Sequence, residues 1–269
     1  MTSISKTDIE LAQDGDAKAL ENIVRGVQDQ VYKLALRMLA DPNAAQDATQ
    51  EILIRIVTKL STFRGDSSFK TWTYRVATNY LLTARKIIAN DPGLSFQMFA
   101  DDLLDGIADE QNAAPEDHVM LNELRLRCTM AMLLCLDREH RAAYVLGDVL
   151  EFEHGPAADV LDITPGTYRK RLSRARARVQ DFTAKTCGLA APNAPCSCTK
   201  RLPAAMAIGR IGNGPSPDLQ DAPRFSEIQA LASQTQSDLT AAKLQCATGP
   251  LRSPKDYAAQ VLRLIEAPS

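Results

Sequence analysis

Long apolar runs are missing from this chain of 269 residues. No stretch approaches the roughly eighteen consecutive apolar residues that a membrane-crossing helix requires, and Met1 to Glu10 hold no apolar segment behind a basic start. Neither a membrane span nor a secretory signal is expected, which places the chain in the cytoplasm. Histidine is scarce, with three in all (His118, His140, His154). No glycine-rich phosphate cradle and no recognisable nucleophile motif occur, so an enzyme is not expected. Six cysteines are too few for a disulfide scaffold at this length. The sustained period-two alternation of strands is absent as well, and the expected fold class is all-α.

The remaining composition, 45% hydrophobic and 24% charged, suits a soluble chain with a buried core, and the length suits two compact units. A net charge of -2 hides strong local patterning. Pro165 to Lys185 hold seven Lys or Arg against one Asp, whereas Asp101 to Asp117 hold seven acids and no base.

Helical periods divide the chain into four consecutive segments. A first helical domain is expected over 1–92. Asp41 followed by Pro42 reads as an N-cap before a first-turn proline, and Ile52, Leu53, Ile56, Val57 and Leu60 then recur on one face up to about Ser61. A break at 63–68 leads into a helix with Phe69, Trp72, Val76 and Tyr80 along one stripe. That stripe reads as core more readily than as a stacking platform, which leaves Lys70, Thr73 and Asn79 as the exposed candidates. Residues 93–116 form an acidic linker, extended or mobile for want of apolar residues. A second helical domain spans 117–185, and a partly helical extension spans 186–269, with helical patterns at Phe225, Ile228, Leu231, Thr235 and Leu239 and again at Tyr257, Val261, Leu264 and Ile265. Ser253 to Asp256 read as the start of the last helix, with its capping acid.

Within the second domain, Gly155 and Pro156 open a short helix, Asp162 takes a left-handed turn position, and Thr164 with Pro165 starts another helix at once. Two helices joined this tightly make a helix-turn-helix candidate. At about 100° per residue, Tyr168, Leu172, Ala175 and Val179 share an apolar side, and Lys170, Ser173, Arg174 and Ala177 lie opposite. Arg171 and Arg178 occupy one flank, Arg169 and Arg176 the other. Such a helix fits the major groove of DNA, with opposite-side groups at base edges and flanking guanidinium groups at phosphates.

The run Asp47-Ala48-Thr49-Gln50-Glu51, the run from Phe63 to Trp72 (FRGDSSFKTW) and the run from Ile163 to Arg176 (ITPGTYRKRLSRAR) together resemble the bacterial extracytoplasmic-function sigma factors over residues 8 to 184. The resemblance implies a dissociable subunit of core RNA polymerase that directs promoter-specific initiation. Asp47, Gln50, Glu51 and Arg55 would contact polymerase. Arg64, Asp66, Ser67, Lys70, Thr73, Asn79 and Arg85 would meet the unwound -10 strand, and Thr167, Arg169, Lys170, Arg171, Ser173, Arg174, Arg176 and Arg178 would read the -35 element. It also implies a monomer when free and an anti-sigma protein as a further partner. Thr73 and the run His154-Gly155-Pro156-Ala157 depart from the family pattern, and an unusual promoter preference is the expected consequence. The acidic linker reads either as an imitation of nucleic acid or as a solvated spacer. The rival reading of the whole chain is a helix-turn-helix repressor or activator that never joins polymerase.

The extension carries Cys187, Cys196 and Cys198 within twelve residues, with Cys246 a candidate fourth ligand. Three readings stay open: a metal site, with zinc the natural ion for thiolates, a redox-sensitive cluster, or structural thiols. Cys128 and Cys135, on an apolar helix face, read as core. The location of the extension suggests a built-in regulator whose helical pair docks on the preceding domains.

Overall fold

The computed structural model describes residues 4–109, 112–113, 118–212, 223–234, 240–247 and 251–266. In chain order the helices begin with α1 (Lys6–Gln13), α2 (Ala17–Leu39), α3 (Pro42–Thr58), α4 (Phe69–Thr83) and α5 (Arg85–Ala89). They continue with α6 (Phe96–Leu104), α7 (His118–Leu134), α8 (Arg138–Tyr144), α9 (His154–Leu161) and α10 (Pro165–Thr186). The last four are α11 (Cys198–Ala207), α12 (Phe225–Gln234), α13 (Thr240–Cys246) and α14 (Ala258–Glu266). Among the described residues the only β-type pairing is a bridge between Cys187 and Cys196, so the fold is all-α. Glu110, Glu116 and Asp117 of the acidic segment, and the helical positions expected at Thr235 and Leu239, lie outside the described residues.

Two compact units form, and neither is continuous in sequence: Met1–Asp91 with Glu153–Pro165 and Arg252–Ser269, and Pro92–Phe152 with Gly166–Leu251. The four consecutive segments expected from sequence therefore do not map one to one onto compact units. The extension is divided, with α11 to α13 in the second unit and α14 in the first.

In the first unit α2 and α3 pack together through Ile23, Val27, Val31 and Leu34 on one side and Ala45, Ala48, Ile52 and Ile56 on the other, all at 2% exposure or less. Each large aliphatic group buried this way contributes roughly 1.5–3 kcal/mol. The turn between them follows the expected start signal: Ala40 closes α2 in the left-handed region, and Asp41 Oδ1 accepts from Ala44 N at 2.6 Å above Pro42. On α4 the stripe is displaced from the expected one. Thr71, Tyr74, Thr78 and Leu81 are buried, while Phe69, Trp72, Val76 and Tyr80 are half-buried at the edge. Helix α9 packs on α4, where Arg75 Nε donates to Asp159 O at 2.8 Å.

The second unit is built around α7. Leu121 and Leu124 share a core with Leu202, Ala205, Ile211 and Phe225 from the extension, and Ile228, Ala232 and Leu244 make a second cluster beside it. The linker is not wholly extended. Ser95 caps α6 by accepting from Met98 N at 3.1 Å, and Phe99 and Leu103 are buried. Phe99 stacks on Phe182 with ring centroids 5.5 Å apart. Phe96, Phe99 and Leu103 were the available sign, a helical stripe within an otherwise acidic run. One carboxylate there is also not free in solvent, because Asp102 pairs with Arg210, which lowers its pKa through a direct hydrogen bond.

Candidate nucleic-acid interface

Helix α10 is seated by its apolar side. Tyr168, Leu172, Ala175 and Val179 are at most 2% exposed, and the Tyr168 hydroxyl donates to Ala143 O at 3.1 Å. The approach is close enough to need glycine beneath it: a Cβ on Gly147 would lie 2.5 Å from the Tyr168 hydroxyl. Ahead of α10, Asp162 holds the expected left-handed turn at φ 53°.

The opposite face carries Thr167, Arg169, Lys170, Ser173 and Arg174, all exposed. Among the described residues, no carboxylate pairs with Arg169, Lys170 or Arg174. The remaining arginines differ. Arg176 is turned inward to a two-pronged pair with Asp148, whose side chain is only 5% exposed, at 2.5 to 3.0 Å. Arg171 meets Glu139 at 2.5 Å, and Arg178 lies 3.6 Å from Asp137. Its planar fork already holds a carboxylate within the unit, while 40% of the side chain stays exposed. Local sequence could not show this, since Asp148 lies 28 residues away.

The set expected at the unwound strand is divided by burial. Arg64, Asp66, Lys70, Asn79 and Arg85 are exposed and Ser67 is half-buried. Thr73 is corrected: it is 1% exposed, packed on the core side of α4. In its place an aromatic group stands at the surface. Phe63 from the loop meets Phe69 at 5.3 Å and Trp72 at 5.6 Å, and Phe69 and Trp72 stack at 5.7 Å. Phe69 and Trp72 are thus half-buried, with rings from the loop and helix packed on one another at the edge.

On α3, Asp47, Glu51 and Arg55 are exposed and Gln50 is half-buried. Asp47 pairs with Lys86 at 3.3 Å, and Arg55 lies over the Tyr80 ring at 4.9 Å. Asp41, Asp47 and Glu51 line one groove with Tyr80, Lys86 and Asn90.

Cys187, Cys196 and Cys198 line an apolar cavity whose fourth thiol is Cys128, not Cys246. Cys246 is exposed and its sulfur faces Val149 O at 3.4 Å. Burial pushes the Cys128 thiol up to about 12 and that of Cys196 up to about 11, and raises Cys187 and Cys198 likewise. Among the described residues no group of three His, Cys, Asp or Glu is placed to hold a metal ion. The cavity thus joins Cys128 to the three clustered thiols and leaves Cys246 apart from them at the surface.

Residues 23–86 match the family model described as Sigma-70 region 2, and residues 126–179 match Sigma-70, region 4. Over 188 residues the chain is 30% identical to the ECF RNA polymerase sigma factor SigW of Bacillus subtilis (strain 168), covering 65% of this chain and 95% of that protein. Over 178 residues it is 30% identical to the ECF RNA polymerase sigma-E factor of Escherichia coli (strain K12), covering 64% and 91%. A solved structure of CnrH in complex with the cytosolic domain of CnrY aligns at a TM-score of 0.48 and 18% identity, covering 67% of this chain and 97% of that one. Matches to both sigma-70 regions, in that order along one helical chain, define a sigma-70-type initiation subunit. The chain belongs to the extracytoplasmic-function RNA polymerase sigma factors. As such it binds core RNA polymerase and promoter DNA and directs transcription initiation, which decides against a repressor outside polymerase. No helix among the described residues is long and apolar enough to cross a membrane.

Proposed function

We propose that three surfaces divide the work of this sigma factor. The exposed face of α10 reads the -35 element, with Lys170, Ser173 and Arg174 toward base edges and Arg169 and Arg178 toward phosphates. The observation that carries this reading is selective neutralisation: Glu139 and Asp148 meet Arg171 and Arg176 at 2.5 Å within the unit, Arg178 is exposed and 3.6 Å from Asp137, and Arg169, Lys170 and Arg174 stay exposed. The aromatic group of Phe63, Phe69 and Trp72, with Arg64, Lys70, Asn79 and Arg85 around it, receives the unwound -10 strand by stacking and backbone pairing. The acidic groove and outer face of α3, with Asp47, Gln50, Glu51 and Arg55, grips core polymerase. The chain contributes no catalytic group of its own, acts in the cytoplasm, and enters polymerase as a single copy. An anti-sigma protein would have to compete for these surfaces.

Run-off transcription with core polymerase on a panel of -35 variants tests the assignment of faces. Arg174→Ala and Lys170→Ala should each lose discrimination at one or two positions, by roughly 1–3 kcal/mol where the contact is bidentate. Arg169→Ala should weaken all promoters alike and flatten the salt dependence. Equal loss across the panel for all three would overturn the division. Trp72→Ala should leave closed-complex formation intact while lowering the open fraction, read as permanganate reactivity of -10 thymines. Stacking worth about 1–3 kcal/mol per base sets a loss of roughly tenfold. Unchanged reactivity would return Trp72 to a purely structural role.

A further inference from the structure

The last segment of the chain occupies ground on α2 and α3. Ser253 N donates to Asp29 Oδ1 at 2.9 Å, and Tyr257 N donates to Gln28 Oε1 at 3.0 Å. The Tyr257 hydroxyl reaches Gln46 O at 3.3 Å, and Gln260 Nε2 donates to Gln50 Oε1 at 3.0 Å. Arg25 pairs with Asp256 at 3.0 Å, and Asp256 also accepts from Ala258 N at 3.0 Å, closing a turn into α14. Between these polar ties Tyr257, Ala258 and Val261 are removed from solvent, at 1%, 0% and 0% exposure.

Gln46 and Gln50 are one helical turn apart on α3, and each adjoins an acid, Asp47 and Glu51. A helix is about 10–12 Å wide with its side chains, whereas one turn rises about 5.4 Å. A helix resting on Gln46 and Gln50 therefore takes up one side of this face, leaving Gln50 half-buried with Asp47 and Glu51 exposed beside it. A partner surface seated on Asp47, Gln50 and Glu51 together would have to share this ground with α14.

We propose that residues 252–266 are an intramolecular competitor of core RNA polymerase, holding part of the α3 face until polymerase or another ligand displaces them. This rests on the reading of α3 as the polymerase-binding face. The footing is of a kind suited to displacement: three buried side chains, surrounded by polar ties of which the Arg25–Asp256 pair is about half exposed. Tethering keeps the segment at a high effective concentration even though the contact is small. The apparent affinity for polymerase is then the intrinsic affinity scaled by the fraction of molecules whose α14 has left.

The test measures binding of core RNA polymerase to the full chain and three variants. Val261→Asp puts a charge where exposure is 0% and should expel α14, reported by fast hydrogen exchange over 258–264. If the docked form is at least nine-tenths populated, this variant binds polymerase about tenfold tighter or more. Arg25→Cys with Asp256→Cys, joined by a short reducible bifunctional thiol reagent, locks the segment, since the arginine that spans the gap is longer than a direct disulfide reaches. That form should bind at least tenfold more weakly than the same protein after reduction, with identically treated wild type unchanged as the control for native thiols. Glu51→Arg separates the premises. If it weakens binding while released Val261→Asp binds no tighter and the lock has no effect, occlusion is overturned and the α3 reading stands. If Glu51→Arg leaves binding unchanged, the α3 reading itself falls and the proposal with it. Should Val261→Asp lose its helical circular dichroism, the reversible lock decides alone.

Discussion

Glu51→Arg should cut the affinity for core RNA polymerase at least a hundredfold without altering the fold. Glu51 is exposed on α3, while Ile52, Leu53 and Ile56 on the same helix are fully buried, so the substitution touches no core contact. Its carboxylate shares a groove with Asp41 and Asp47, a concentration of negative charge that fits a basic partner surface. Reversing one charge in such a pairing costs several kcal/mol, and a hundredfold loss corresponds to about 2.8 kcal/mol. Asp47→Arg should act in the same direction. It also breaks the pair with Lys86, but both side chains are 70% exposed and that pair stabilises little. Equilibrium binding at low and moderate salt, with circular dichroism alongside, checks both. Unchanged affinity with native helicity would move the polymerase contact away from α3.

The second large effect is on stability. Arg125→Leu should destabilise the second unit by about 3 kcal/mol. Arg125 is 1% exposed, and its guanidinium donates to Leu244 O, to Ala247 O at 2.7 Å and to Asn122 Oδ1 at 3.3 Å. It thereby satisfies carbonyls at the C-terminal end of α13 and ties that helix to α7. Burial pulls its pKa down to about 10, a sign of the desolvation it suffers. Leucine removes that desolvation but leaves buried carbonyls without donors, at about 1–3 kcal/mol each, and the second effect wins. Hydrogen exchange over 240–247 and thermal unfolding are the measurements, and a loss of this size lowers the midpoint by roughly 6–12 °C for a unit of this size. A midpoint equal to wild type would show that α13 is held by its apolar contacts alone. Arg125→Lys should recover little, since one ammonium cannot span carbonyls reached by a planar fork.

Much of the fold was legible locally. The cap at Asp41, the left-handed turn at Asp162 and the buried side of α10 all depend on neighbours within a turn or two, where backbone geometry and helical period leave few choices. The α4 stripe was misplaced because two adjacent stripes both carry large side chains. Period alone does not say that Tyr74 and Leu81 face the core while Phe69 and Trp72 pair with Phe63 from the loop. The helix within the acidic linker was hidden by charge, yet Phe99 and Leu103 sufficed once Phe182 offered a surface.

The all-α class, the tight turn at Asp162 ahead of the basic helix and the family to which the chain belongs were legible in the sequence, because these reside in short-range periodicity and in contiguous motifs. Tertiary packing settled which arginines of α10 are paired within the unit, since Asp148 and Glu139 come from outside the helix they neutralise. It alone placed Cys128 rather than Cys246 beside the three clustered thiols, and it alone brought Tyr257 and Gln260 to α3 across more than two hundred residues of sequence. Such pairings are settled by which surfaces gain most from mutual burial once the whole chain is folded, and no local pattern encodes that comparison.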